Sequence, residues 1–368
     1  MNVLVTGGNG FVGKNICLRL NHDSGVSTKT FVRADSLEVL KKCLLETDFV
    51  IHLAGENRPK LVEQFERVNV ELTKTICNIL TEYQRSLPIV FASSIHATTD
   101  TPYGISKRRA ELALIRYAKK TSSPVAILRL PSVFGKWCRP NYNSFVTTIL
   151  YNIANNLEVP ITDSSKRLSV AYIDDVVDTI FELLKHKWVG VVWPEVKPEY
   201  YPSLGEISDR ADGFKKSRQT LQLNGVGSGF VKALYSTYIT YLPKREFCYK
   251  IPQYSDARGV FAEFQKTLHE GQVSFFTLLP NSVRGGHFHH SKTEKFLVIQ
   301  GTAMFRFMEV SSGERYELNI SGENLEVVET IPGWAHEIIN VGAEKVVCLL
   351  WANETFDPKR PDTFSVDF

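Results

Sequence analysis

The chain has 368 residues, of which 43% are hydrophobic and 23% charged, and its formal net charge is +3. The length predicts two domains, and the composition is that of a globular protein, which excludes a disordered or collagen-like chain. The small net charge excludes binding to nucleic acid or to a membrane surface by bulk electrostatics. The six cysteines are scattered without a C-x-x-C pair, and no apolar run reaches the roughly 18 residues of a membrane span. We therefore expect a cytoplasmic protein that neither binds nucleic acid nor inserts into a membrane.

The first part of the chain alternates between strand and helix patterns. Strands are predicted over residues 3–6, 29–32, 49–53, 89–92 and 125–130, and helices over residues 11–20, 36–45, 65–83 and 103–118. Strands that alternate with helices predict βαβ units and a parallel sheet. Residues 225–242 are rich in Tyr and Leu and are predicted to form a last helix and connector.

From about residue 247 the helical period disappears. Short alternating segments follow, separated by Gly, Asn, Ser and Pro, at residues 273–278, 294–299, 303–310 and 345–351. This texture predicts an all-β sandwich or barrel. The predicted domains are residues 1–243 and 244–368.

A glycine-rich turn lies between the first predicted strand and the first helix. Gly7, Gly10 and Gly13 are spaced so that the chain can turn and its backbone can approach a pyrophosphate at the start of the helix. Arg33 follows the second predicted strand, where a cation suits the 2′-phosphate of NADP. Arg33 therefore favours NADPH, although a solvated loop charge is the simpler role and the nearby Asp35 leaves NAD open.

Three later segments continue this pattern in order. Residues 48–55 read D-F-V-I-H-L-A-G, residues 91–94 read F-A-S-S, and residues 103–107 read Y-G-I-S-K. Together with the turn, they resemble the motifs of extended short-chain dehydrogenase/reductases of the nucleotide-sugar type. The resemblance implies a doubly wound Rossmann domain with Tyr103, Lys107 and Ser94 as catalytic residues. It places coenzyme contacts at Gly7, Gly10, Phe11, Val12, Gly13, Arg33, Leu53, Ala54, Gly55, Tyr103, Lys107 and Pro131.

The spacing of Tyr103 and Lys107 has a chemical reason of its own. Residues four apart lie on one face of a helix, and Thr101 and Pro102 suit the cap and first position of that helix. A lysine ammonium near a phenol is expected to lower the tyrosine pKa, so that Tyr103 can exchange a proton with a carbonyl or alcohol. An amphipathic helix without catalytic function is the simpler alternative.

Further substrate contacts are expected from the resemblance alone. Lys136 and Asn143 follow residues 130–135, which resemble the segment lining the nicotinamide. Nucleotide-sugar enzymes gather diphosphate and sugar contacts at that place. Packing or solvation is an equally simple role for both residues.

Histidines cluster in the second part of the chain. His287 and His289 lie on one strand face, followed by Glu294 and later by His336. These residues resemble the two metal-binding motifs of the cupin superfamily, which implies a jelly-roll barrel over about residues 245–368. Three imidazoles and a carboxylate suit one divalent metal. Zn²⁺ is the expected ion, but the set also suits Mn, Fe, Co or Ni, and the sequence does not discriminate between them. A metal-free cupin that uses these histidines as acids or bases is the alternative.

Residues 256–263 and 283–287 carry a second resemblance. They read D-A-R-G-V-F-A-E and V-R-G-G-H, and are similar to segments of the sugar 3-epimerases, which are cupins that need no metal. This resemblance implies that His287 is a catalytic base and that Arg258 and Arg284 bind substrate phosphate. His287 therefore has two possible roles, metal ligand and base, which the sequence leaves open.

The combination of both halves resembles the bacterial capsular polysaccharide bifunctional UDP-sugar 3-epimerase/4-reductases. The segments that carry this resemblance are residues 140–144, 235–238 and 356–363. It implies C3 epimerisation of a UDP-2-acetamido-2,6-dideoxy-hexos-4-ulose in the cupin, followed by NADPH-dependent C4 reduction to UDP-2-acetamido-2,6-dideoxy-L-talose. A homodimer is also expected. Two alternatives remain: a dTDP-4-keto-6-deoxyhexose reductase with a structural or dimerising cupin, and a non-enzymatic sugar-nucleotide sensor.

Overall fold

Helices and strands occupy most of the chain. The computed structural model describes residues 1–251, 254–256, 259–261, 265, 271–354 and 359–368. The helices are, in chain order, α1 (Phe11–Asn21), α2 (Leu37–Leu45), α3 (Glu63–Phe65), α4 (Leu72–Glu82), α5 (Pro102–Thr121), α6 (Phe145–Ala154), α7 (Ile173–Lys185), α8 (Leu204–Thr220) and α9 (Gly229–Ile239). A π-helical segment, Glu66–Glu71, joins α3 to α4, and 3-10 turns lie at Ile95–Thr98 and Lys244–Glu246.

The strands fall into a parallel group and an antiparallel group. The parallel group is β1 (Asn2–Thr6), β2 (Ser27–Phe31), β3 (Phe49–His52), β4 (Ile89–Ser94), β5 (Val125–Leu130), β6 (Ser132–Phe134), β7 (Val170–Tyr172) and β8 (Val191–Val192). The antiparallel group is β9 (Cys248–Lys250), β10 (Tyr254–Asp256), β11 (Gly259–Phe261), β12 (Gln272–Leu278), β13 (Val283–Phe288), β14 (Glu294–Gln300), β15 (Thr302–Glu309), β16 (Arg315–Ser321), β17 (Glu326–Glu329), β18 (Trp334–Asn340), β19 (Val346–Ala352) and β20 (Phe364–Ser365).

The described chain divides into two compact units. The first comprises Met1–Phe134 and Ser169–Tyr201, and the second comprises Gly135–Leu168 and Pro202–Phe368. The domain boundary after residue 243 stays a prediction. The two units group residues that lie close together in space, and they do not show which part of the chain folds on its own. The helices α6, α8 and α9 belong to the same unit as the antiparallel strands.

A parallel sheet forms the centre of the first unit. Its strand order is β2-β1-β3-β4-β5-β8, and β6 pairs with β7 separately. Leu4, Val50 and Ile89 belong to a buried cluster with side chains of α2, α4 and α5, while Val3 and Val5 are buried on the other side of β1. Strand β1 lies between β2 and β3, so the direction in which successive strands are added reverses there. In such sheets, ligands bind beyond the carboxyl ends of the strands at this reversal.

Two five-stranded antiparallel sheets form most of the strand-rich part of the second unit, and β10 and β11 pair separately. The orders of the two five-stranded sheets are β12-β19-β14-β17-β9 and β16-β15-β18-β13-β20. The inner faces meet where the ring of Phe296 lies 5.7 Å from that of Phe305 and 5.9 Å from that of His336. The predicted fold class is therefore confirmed: a Rossmann-like parallel sheet is followed by an antiparallel all-β domain. The predicted elements of residues 1–130 are confirmed to within a few residues, whereas α6, α7 and α8 were not predicted.

Helices α8 and α9 cover the outer face of the sheet that contains β14. Lys295, only 1% exposed, pairs across the strands with Glu329 at 3.3 Å. Arg218 of α8 lies 3.3 Å from the same carboxylate, and the Tyr235 hydroxyl of α9 donates to it at 3.1 Å. Burial alone would raise the pKa of Glu329, but Lys295 and Arg218 hold it below its usual value. The predicted connector is thus a packed helix that supplies part of a buried ionic network.

No helix within the described ranges is long and apolar enough to cross a membrane.

Replacing Glu329 by Gln should destabilise the second unit by about 3 kcal/mol, because Lys295 and Arg218 would be left buried without a counter-charge. Asp178→Asn is the matched control. It breaks the exposed pair Arg19–Asp178, and pairs of that kind contribute only about 0–1 kcal/mol. The measurement is thermal unfolding followed by near-UV circular dichroism. An equal loss of Tm in both variants would show that the buried network contributes no more to stability than the exposed pair does.

Candidate functional site

The glycine turn lies at the strand reversal of the first unit. Gly7 has a φ of +73°, and a Cβ there would lie 2.9 Å from the main chain of Ala54, beyond β3. A Cβ at Gly13 would overlap the carbonyl oxygen of Gly7. Helix α1 begins directly after Gly10, so its first N–H groups have no side-chain cap. Only residues without side chains permit this close packing, and the resulting turn fits a pyrophosphate.

Two charged residues, Arg33 and Asp35, lie just beyond β2, at the predicted ribose end. The carboxylate of Asp35 accepts the N–H of Val32 at 2.7 Å, so its charge is engaged in a local turn. The guanidinium of Arg33 is 81% exposed and lies 2.7 Å from Glu56. Arg33 is therefore tethered to Glu56, a partner that the sequence did not reveal.

The start of α5 positions Tyr103. The Thr101 hydroxyl accepts the N–H of Gly104 at 3.1 Å, and Pro102 occupies the first turn, as predicted. Burial raises the pKa of Tyr103, and a side-chain hydrogen bond with Ser94 opposes that rise. The phenol is also near aromatic neighbours, with the ring of Phe65 at 5.8 Å.

Strand alternation separates the roles of two consecutive serines. Ser93 donates to the buried Glu111 at 2.5 Å, and Arg129 donates to both oxygens of that carboxylate at 3.0 and 2.7 Å. Ser94 points to the opposite side, towards Tyr103. Glu111 was not singled out from the sequence, although it lies one turn beyond Lys107 on the same helix.

Lys107 is held by the main chain of the neighbouring strand. Its Nζ donates to the carbonyl oxygen of Ala92 at 2.6 Å and lies 4.5 Å from the Phe91 ring centre. Burial lowers the pKa of Lys107 to about 8, while Glu111 opposes this shift. The expectation that Lys107 lowers the pKa of Tyr103 is therefore wrong for the chain alone, because desolvation dominates at both residues.

Asn69 is a further polar residue that the sequence did not reveal. Its side chain exchanges hydrogen bonds with the main chain of Glu56 at 2.7 and 2.9 Å and donates to Ser106 at 2.9 Å. It thereby fixes the chain just beyond Gly55, where a Cβ would lie 3.2 Å from Asn69. An asparagine within a helical pattern gives no local signal of this role.

The predicted coenzyme contacts Leu53, Ala54 and Gly55 lie directly beyond β3, and Pro131 lies between β5 and β6. They remain predictions, as do Phe11 and Val12 at the start of α1. His52, at the end of β3, has a structural role: its ring is fully buried and hydrogen-bonded to Thr6 at 2.7 Å and to Thr73 at 2.9 Å.

The predicted substrate residues occupy different environments. Lys136 is 1% exposed and packs beside Trp137, whereas Asn143 is exposed. Arg284 is exposed on β13 and lies over the Phe276 ring at 5.3 Å. Arg258 lies outside the described residues. Lys136 is thus buried and Arg284 exposed, and the substrate contacts expected of Lys136, Asn143 and Arg284 remain predictions.

The second unit brings the four predicted metal ligands together. One ligand atom from each of His287, His289, Glu294 and His336 lies within 4.8 Å of all the others. One oxygen of Glu294 is 3.0 Å from Nε2 of His289 and 3.4 Å from Nε2 of His336. His290 is not part of the cluster and packs against Phe364 instead, as strand alternation predicts.

The electrostatics of the cluster favour a bound cation. Burial and the neighbouring His336 and His289 lower the pKa of His287 to about 3, so its imidazole is neutral. Burial alone would raise the pKa of Glu294, but His289 and His336 hold it well below its usual value. Among the described residues, Nδ1 of His336 is buried without a hydrogen-bond partner. Three imidazoles around a carboxylate form a donor set that fits Zn²⁺.

Two residues near the cluster were not predicted as part of it. Lys292 places Nζ 3.2 Å from the second oxygen of Glu294, and Asp362 accepts hydrogen bonds from the loop before β14. Asp362 belongs to the segment 356–363 that the sequence marked without giving it a role. Residues 355–358 lie outside the described residues.

Comparison with known proteins assigns families to both parts of the chain. Residues 3–193 match the NAD dependent epimerase/dehydratase family, and residues 254–364 match the Polysaccharide biosynthesis C-terminal domain. A relative from Pseudomonas aeruginosa, UDP-2-acetamido-2,6-beta-L-arabino-hexul-4-ose reductase, is 47% identical over 365 residues. The alignment covers 99% of this chain and 98% of the relative.

Solved structures resemble the chain over its full length or over its first part. The capsular polysaccharide assembling protein CapF from Staphylococcus aureus is 40% identical, with 100% of both chains covered and a TM-score of 0.68. UDP-glucuronic acid 4-epimerase from Bacillus cereus, solved with NAD, is 20% identical. It covers 58% of this chain and 84% of its own, with a TM-score of 0.53. The second likeness shows the fold alone.

The cluster should bind about one divalent metal ion per chain, and His336→Ala should weaken Zn²⁺ binding by more than about a hundredfold. His186→Ala, at an exposed histidine outside the cluster, is the control and should bind like the wild type. Competition with a chromogenic chelator measures the affinity, and elemental analysis measures the stoichiometry. Equal affinity in the two variants would rule out the cluster as the metal site.

Proposed function

The chain belongs to the NAD dependent epimerase/dehydratase family, and from this premise we propose that it catalyses two consecutive steps on a 4-keto UDP-sugar. The first is C3 epimerisation in the all-β domain, a cupin, and the second is C4 reduction in the Rossmann-like domain. The observation that carries the proposal is the coexistence of two sites. In one, Ser94 ends β4 beside Tyr103, and Lys107 is hydrogen-bonded to Ala92 of the same strand; the other is a compact cluster of three imidazoles and a carboxylate.

In the reduction, a reduced nicotinamide coenzyme supplies the hydride that C4 accepts. Tyr103 donates its phenolic proton to the former carbonyl oxygen, so that the ketone becomes an alcohol. Its raised pKa keeps that proton in place at neutral pH. Ser94 holds the reacting oxygen, and Lys107 binds the ribose hydroxyls.

NADPH is the proposed coenzyme. The guanidinium of Arg33 is exposed beyond β2, and the carboxylate of Asp35 already accepts a hydrogen bond from the N–H of Val32. Although Arg33 is tethered to Glu56, the exposed part of its guanidinium would offer a cation to a 2′-phosphate.

In the epimerisation, a base removes the proton at C3, which is acidic because C4 carries a carbonyl. Returning a proton to the opposite face of the resulting enolate inverts C3. A divalent cation, proposed to be Zn²⁺, supplies a Lewis acid that stabilises the negative charge. His287 is the most exposed member of the cluster and is placed either to complete the ligand set or to act as the base. Arg284 is proposed to bind the substrate diphosphate, and Arg258 is carried over from the sequence resemblance.

The substrate is proposed from the relatives. The Pseudomonas aeruginosa relative is named as a reductase of a UDP-2-acetamido 4-ketosugar, and the C-terminal match is to a polysaccharide biosynthesis domain. We propose UDP-2-acetamido-2,6-dideoxy-L-talose as the product, formed in the cytoplasm for capsule or O-antigen synthesis. The expected homodimer stays a prediction.

Tyr103→Phe should lower kcat for ketone reduction by about 10²–10⁴-fold and leave the Kd for NADPH unchanged, because only the proton donor is removed. Tyr201→Phe, at an exposed tyrosine of the same unit, is the control. Coenzyme oxidation with the 4-ketosugar measures the rate, and fluorescence titration measures the binding. Wild-type turnover in Tyr103→Phe would remove Tyr103 from the mechanism.

In D₂O and without coenzyme, the full chain should incorporate deuterium at C3, because enolisation needs a base but no hydride. Tyr103→Phe should keep this exchange, whereas His287→Ala and His336→Ala should lose it, as measured by NMR. The full chain is required, since a cut after residue 243 would separate α8 and α9 from the sheet they cover.

The same variants test the alternatives. Exchange that is lost in Tyr103→Phe and kept in both histidine variants would place enolisation in the first unit and leave the second unit structural. If His287→Ala loses exchange but keeps its metal, His287 is the base; loss of both makes it a ligand.

A further inference from the structure

A short segment beside the cluster, residues 362–366, is called the strap here. Its strand β20 pairs antiparallel with β13, so that Ser365 faces His287 and Phe364 faces Phe288. The N–H of Val366 donates to the carbonyl oxygen of Gly286 at 2.9 Å. The strap thus lies along the strand that carries one of the proposed metal ligands.

The carboxylate of Asp362 accepts hydrogen bonds from the loop that joins the proposed ligands His289 and Glu294. It accepts the consecutive N–H groups of His290, Ser291 and Lys292 at 2.8, 2.7 and 2.7 Å, and the Ser291 hydroxyl at 3.1 Å. Successive N–H groups that converge in this way form a concave anion site, which Asp362 fills from within the chain. This loop joins His289 to Glu294, so its conformation sets the distance between two ligands.

The main chain of Asp362 acts on the ligand ring itself. Its carbonyl oxygen lies in hydrogen-bond contact with Nδ1 of His289. A carbonyl only accepts, so Nδ1 donates to it, while Nε2 on the other side of the ring lies 3.0 Å from the carboxylate of Glu294. Ligand imidazoles in metal sites are commonly oriented by such a contact at the other ring nitrogen.

The strap also contacts Lys292, whose charged ammonium lies beside the histidine cluster. Nζ of Lys292 lies between the Thr363 hydroxyl at 3.3 Å and the carboxylate of Glu294 at 3.2 Å. On its other side, the loop receives a hydrogen bond from Ser236 of α9 to the Ser291 carbonyl oxygen at 2.7 Å. The strap and α9 therefore hold the same loop from two directions.

We propose that the strap sets the geometry of the metal cluster, with Asp362 as a positioning residue that fixes the orientation of the His289 ring and the path of residues 290–292. This inference rests on the proposed metal binding. Loss of the Asp362 carboxylate leaves three N–H groups without their acceptor and releases the carbonyl that orients His289.

Asp362→Ala should raise the dissociation constant for Zn²⁺ about 10–100-fold, and Asp362→Asn should raise it less, because an amide oxygen can still accept part of the set. Asp367→Ala, at an exposed aspartate just beyond the strap, is the matched control. Chelator competition gives the affinity. Hydrogen exchange measured by mass spectrometry should show faster exchange at residues 290–292 in Asp362→Ala alone.

Thermal unfolding with and without Zn²⁺ separates positioning from simple stabilisation. A positioning role reduces the rise in Tm that Zn²⁺ produces, whereas a purely structural role lowers Tm equally in both conditions. Wild-type affinity in Asp362→Ala, or an unchanged Zn²⁺-induced rise in Tm, would overturn the role of the strap and leave the metal site intact. A wild-type chain that binds no divalent metal would instead overturn the metal site itself, and the strap proposal with it.

Discussion

The second unit depends on one constraint: strand β14 places two adjacent charged residues on opposite faces of its sheet. Glu294 points inward to the imidazoles, and Lys295 points outward to Glu329 and the helices. A register shift of one residue would exchange them, so Lys295 would enter the histidine cluster and Glu294 would meet the carboxylate of Glu329. The buried ionic network under α8 and α9 therefore protects the register on which the proposed metal site relies.

The first unit shows how desolvation sets the chemistry of a buried pair. Tyr103 and Lys107 share a helix face, yet burial raises the pKa of the phenol and lowers that of the amine. Lys107 donates a hydrogen bond to the carbonyl oxygen of Ala92, and the carboxylate of Glu111, one turn further along the helix, favours the charged form of Lys107. At neutral pH the phenol keeps its proton, which is the protonation state that reduction of a ketone requires.

Features that arise from local spacing could be predicted from the sequence, and those that arise from distant partners could not. The glycine turn, the cap at Thr101 and the group His287, His289 and Glu294 follow from short intervals with a known geometric meaning. His336 lies much further along the chain and was added to that group by the resemblance to the cupin motifs. The pairing of Arg33 with Glu56, of Arg218 with Glu329 and of Asp362 with residues 290–292 joins segments that carry no matching signal. The burial of Lys136 beside Trp137 also has no local signal in the sequence.

The long stretch of chain between the strap and the loop that it contacts affects how fast that contact can form during folding. Asp362 meets His290 across 72 residues, and Arg218 must reach Glu329 on a strand that itself pairs with β14. Contacts between distant segments form slowly, because the entropy of closing the loop is lost before the contact stabilises anything. The cap of α5, by contrast, joins Thr101 to Gly104 within a single turn. We therefore expect the histidine cluster to reach its final geometry after the sheets have paired, so that a chain captured early would bind the proposed metal only weakly.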